Sequence, residues 1–78
     1  MMKHEFEQRI GGEIRHEDYE KVQIVYTYYP ANGLDKDKVA EMYQMFGMRI
    51  FEDMLPRAQK AMELEMRIHH AKKALAEL

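Results

Sequence analysis

With 78 residues and no cysteine, the chain has room for one domain at most and can use neither disulfides nor thiolate-held metal as a staple. Hydrophobic residues at 46% and charged residues at 33% exclude a disordered chain, and a net charge of −2 supplies no general field for drawing in nucleic acid. A domain of this size buries only roughly 60% of its unfolded surface, which makes oligomerisation the expected support.

No apolar run approaches the roughly 18 residues of a membrane span. Met1-Met2-Lys3-His4-Glu5-Phe6 lacks the apolar stretch of a signal peptide, and a cytoplasmic location is the default expectation. Absence of cysteine fits a reducing compartment. Charge is uneven: residues 1–35 hold four basic and seven acidic side chains, residues 57–78 five basic and three acidic. Such a bias can steer contacts between copies or simply solvate the surface.

The first predicted helix covers residues 2–10, with Phe6 and Ile10 on one face and Gly11-Gly12 ending it. A helix this short is marginal alone and must dock. Residues 16–29 read two ways. As a helix, Tyr19, Val22, Val25 or Tyr26, and Tyr29 line one side, with Glu17 and Asp18 in the first turn where the dipole favours negative charge. As a strand, Val22, Ile24, Tyr26 and Tyr28 alternate, with suitable β-branched and aromatic content. The helix is preferred because no second strand offers itself, and a lone strand leaves its backbone groups unpaired.

Pro30-Ala31-Asn32-Gly33 marks a turn. Asp35 then reads as a helix cap and Leu34 as a staple onto Val39. The third predicted helix spans 35–54, with Val39, Met42, Tyr43, Phe46 and Ile50 at helical spacing. Gly47 lies inside that pattern, where a close helix–helix approach or a modest kink is expected. Pro56 either starts a new helix or kinks a longer one, and a break is preferred, with the fourth helix over 57–77. The class is therefore all-α: a short bundle of three to four helices with a long, coiled-coil-like C-terminal helix.

In that last helix Ala61, Leu64, Ile68, Ala71, Leu75 and Leu78 step by 3, 4, 3, 4 and 3, the a/d pattern of a coiled coil. Lys60, Glu65, Arg67 and Lys72 flank the seam with mixed charge. Ala58, Met62 and Met66 lie off it, so the helix has two apolar faces. One can close the domain while the other meets a partner, and homo-oligomerisation is expected; the competing arrangement packs the seam on the chain's own third helix.

Catalytic chemistry finds little footing. Serine is absent and Thr27 is the only non-phenolic hydroxyl, which excludes serine and cysteine nucleophile motifs. Gly11-Gly12 lacks the surroundings of a phosphate loop. His69 and His70 point about 100° apart on a helix. Glu65 and His69 share a face but make only two of the three or four ligands zinc requires. Neither metal nor cofactor is expected, nor an enzyme. Tyr26, Tyr28 and Tyr29, with Arg49, form a candidate partner or ligand surface, able to stack on bases, although most of these rings are also expected in the core. Met42, Met45 and Met48 are similarly divided between an adaptable surface and gap filling.

Phe6-Glu7-Gln8-Arg9-Ile10-Gly11, Asp18-Tyr19, Val25-Tyr26-Thr27 closing on Pro30, and Phe46-Gly47-Met48-Arg49 together resemble a group of small uncharacterised proteins carried by phages and mobile elements of Gram-positive bacteria. The similarity runs to about Leu55. In that group a Ser or Thr commonly precedes the acidic pair of the second helix, where this chain has Arg15-His16. The resemblance implies an accessory protein acting on host machinery, anti-defence inhibitors included. The expected function is thus a self-associating interaction protein that binds and modulates a host protein. An oligomeric nucleotide or nucleic-acid binder and a passive structural component are the alternatives.

Overall fold

Local chemistry starts and stops the helices. In the computed structural model, which describes residues 1–31 and 33–76, four helices and no strand are found among the described residues. Helix α1 spans Lys3–Ile10 and ends where Gly11 turns left-handed at φ 75°, its N–H bonding the Glu7 carbonyl at 3.0 Å. The Glu7 carboxylate then accepts from the Ile14 N–H at 2.9 Å, and this tether brings Ile14 into the core.

Residues 22–29 do not form a strand. Helix α2 spans His16–Tyr28 and buries Tyr19, Val22 and Val25, so the helical period outweighs β propensity once another helix supplies the buried surface. Its N-cap, Arg15, makes no side-chain cap bond; the guanidinium instead reaches Asp18, Nε to Oδ2 3.1 Å, which holds Arg15 above its ordinary pKa. Pro30 drives Tyr29 to an extended conformation and stops the helix. In the turn that follows, Asn32 lies outside the described residues. Burial pushes the Tyr19 hydroxyl above its ordinary pKa, and that hydroxyl donates to the Met1 carbonyl.

Helix α3 spans Lys36–Phe46 and is capped as expected, Asp35 accepting from the Lys38 N–H at 2.8 Å. It ends well short of the predicted residue 54. Gly47 takes φ 67°, ψ −158°, a conformation essentially reserved for glycine. A Cβ there would meet nothing within 4 Å, so Gly47 is a hinge between helices rather than a point of close approach. Gly47→Ala is expected to cost about 1–3 kcal/mol through backbone strain alone. Gly12→Ala, at an equally open site without positive φ, is expected to be near neutral. Urea midpoints of the two variants check this, and equal midpoints contradict it.

Helix α4 runs unbroken over Met48–Ala76 with Pro56 inside it, so the preferred break at Pro56 and the separate helix from 57 are corrected. The lost ladder bond involves Glu52 and Pro56, both exposed, where water can satisfy the freed carbonyl. Phe51 before the proline and Ala58 after it are both fully buried, and a sharp bend would pull one of them out.

Phe6 is the hub of the core. Its ring meets Tyr43 edge-on at 5.5 Å and Tyr19 at 6.3 Å, while Tyr43 continues to Phe51 at 6.3 Å. Polar clasps join α1 to α3: Lys36 Nζ to Glu5 Oε1 at 2.9 Å, Arg9 to Asp37, and Gln44 Nε2 donating to the Arg9 carbonyl at 3.1 Å. The hydrogen bond from Lys36 holds the Glu5 carboxyl below its ordinary pKa. A lowered native pKa stabilises above the unfolded value, and that contribution vanishes as pH falls through the folded one. The stability difference between wild type and Lys36→Met is therefore expected at neutral pH and to close below the carboxylate range, read from urea curves at stepped pH.

Candidate interaction surface

Helices α2 and α4 form the most extensive interface and run the same way, with Lys21 Nζ 3.7 Å from Glu52 and Tyr28 beside the 65–70 stretch. Because α2 ends at Tyr28 and α3 hinges at Gly47, no other described element follows α4 to its end. At about 1.5 Å per residue its 29 residues extend about 43 Å, most of the 50 Å long axis of a molecule otherwise 22 Å across. The result is a compact head with a projecting rod.

The predicted seam lies along that rod. Ala61 is half-buried at its root, whereas Leu64, Ile68 and Leu75 are 49%, 55% and 70% exposed and Ala71 is exposed. Leu78 lies outside the described residues. From Glu63 to Lys73 every side chain is exposed. On the other apolar face Ala58 is fully buried and Met62 half-buried against the head, whereas Met66, one turn further on, is 53% exposed. Packing of the seam on α3 is not found, since the stripe has no covering helix among the described residues. One face of α4 thus closes the domain at its root, and the other is left bare.

An uncovered stretch of this length is unfavourable in water. The segment extends a helix already nucleated in the head and so incurs no fresh nucleation cost, but it exposes Leu64, Met66, Ile68 and Leu75 to water. Covering the exposed parts of Leu64, Ile68 and Leu75 is worth roughly 1 kcal/mol apiece. Glu65 and Lys72 sit on one edge of the stripe, lining a shallow recess with Ile68 and His69. Neither has an ion-pair partner among the described residues.

Tyr26, Tyr28 and Tyr29 are half-buried and pack against the core. Tyr28 also lines a recess with Glu65, Met66, His69 and His70. Arg49 is elsewhere, beside Met45, Phe46, Ile50 and Asp53. Arg49 and Glu65 are about 24 Å apart along the helix, so the arginine and Tyr28 do not share a pocket. Sequence periodicity places Phe46 in the core, but it is 56% exposed because α3 ends there. The glycine following it is the signal that could have revealed this. Among the described residues no group of three His, Asp or Glu is placed to hold a metal ion, and the rings of His69 and His70 lie 6.3 Å apart. No described helix is long and apolar enough to cross a membrane.

No family model matches the chain, and no match was found among curated proteins or solved structures.

Proposed function

We propose that this chain is a non-enzymatic interaction protein that self-associates through the rod of α4 and, in that state, binds and modulates a protein of a host cell. The observation that carries the first half is the line of Leu64, Ile68 and Leu75 on a helix segment that its own domain leaves uncovered. An exposed apolar stripe of this kind marks an interaction site. The host partner, and an origin in a phage or mobile element, rest on the resemblance of the segments around Phe6, Tyr19 and Gly47. The nucleotide-binding alternative joins Arg49 to the tyrosines, and it is less favoured because Arg49 and Tyr28 line different recesses.

Light scattering on size-exclusion fractions over a concentration series tests self-association. Mass is expected to rise from that of one chain to a multiple of it, with helical circular dichroism rising in step as the rod becomes covered. A single-chain mass with constant helicity throughout overturns the proposal.

A further inference from the structure

We infer that the stripe is covered by a second copy lying antiparallel, in the register that sets Ile68 against the partner's Ala71. This rests on the self-association reading and adds an orientation to it. In a parallel pair each layer meets its own copy, so Ala71 faces the partner's Ala71 and leaves a gap. The antiparallel register puts Ile68 into that gap, Leu64 against the partner's Leu75, and repeats both contacts by two-fold symmetry. In the Ile68 layer a large residue against a small one fills the space that paired alanines would leave.

The edge charges agree. In heptad terms Glu65 and Lys72 occupy e positions, Lys60 and Arg67 g positions. A parallel pair sets each g against the e five residues on: Lys60 attracts the partner's Glu65, but Arg67 repels the partner's Lys72, each twice. An antiparallel pair sets e against e. Glu65 then faces the partner's Lys72, and Lys72 the partner's Glu65, two attractive pairs with no opposing one. These are the two rod residues on the stripe's edge that line one recess with Ile68 and have no ion-pair partner among the described residues.

Lys72→Glu separates the orientations by sign. Antiparallel pairing loses both attractions and gains two repulsions, so the dimer is expected to weaken about tenfold. Parallel pairing would instead turn the Arg67 contact attractive and tighten the dimer. Adding Glu65→Lys to the same chain is expected to restore near wild-type affinity. Because the chain has no cysteine, Gln59→Cys gives a single site for a spin label on the exposed side of α4. Antiparallel copies offset the two labelled positions by about 30 Å along the axis. Parallel copies set them at the same level with only the lateral separation, about 15 Å between their backbones, so the antiparallel distance is the longer by more than about 10 Å. A dimer that tightens with Lys72→Glu or shows the short distance overturns the orientation while leaving self-association standing. A monomer in the wild type overturns both.

Discussion

Phe51→Ala is expected to destabilise the chain by about 3–5 kcal/mol, enough to leave much of it unfolded. Phe51 is fully buried, meets Tyr43 of α3 at 6.3 Å, and holds α4 onto the bundle ahead of Pro56. Its removal leaves a cavity that α2, α3 and α4 cannot all close, and a domain this small has little stability to spare. Urea unfolding followed by circular dichroism reads the effect. Phe46→Ala supplies the contrast: the same residue type, on the preceding helix, is 56% exposed and is expected to cost less than about 1 kcal/mol. Equal losses for the two variants would mean the core is misplaced.

Ile68→Glu is expected to weaken self-association roughly a hundredfold while leaving the head as stable as wild type. Ile68 is 55% exposed in the single chain, so the substitution removes no buried contact there. In a pair of rods it would bury a carboxylate from each copy without a partner, which weakens the dimer by about 3 kcal/mol or more, roughly a hundredfold in affinity. Glutamate is the better intrinsic helix former of the two. Any loss of order in the rod must therefore come from losing the partner rather than from local propensity. Sedimentation velocity gives the mass and urea unfolding the stability of the head. A variant that still dimerises with wild-type affinity would place the contact elsewhere.

Much of the fold was legible where a local signal and a periodic pattern coincided. Gly11 ends α1, Asp35 caps α3, and the acidic first turn with the 19, 22, 25 spacing identifies α2 despite its β-prone residues. The two misplaced boundaries have different causes. Gly47 leaves the apolar spacing in phase, so periodicity cannot reveal that its backbone turns to φ 67°. Pro56 removes a ladder bond that matters only if its carbonyl is buried, and exposure is a tertiary property. That Leu64, Ile68 and Leu75 share one stripe of a helix was legible because helical spacing is local. That the head would leave it bare depended on where α2 and α3 stop, and the second of these follows from the Gly47 hinge. The distance between Arg49 and Tyr28 was likewise hidden, since it is the unbroken α4 that sets them in separate recesses.

Amide hydrogen exchange in residues 63–76 tests most directly whether the rod is held by another copy. Wild type at concentrations where it is associated is expected to protect these amides well above their level in Ile68→Glu, with residues 16–58 exchanging alike in both. Identical exchange across 63–76 in the two proteins would contradict a role for the stripe in holding the rod.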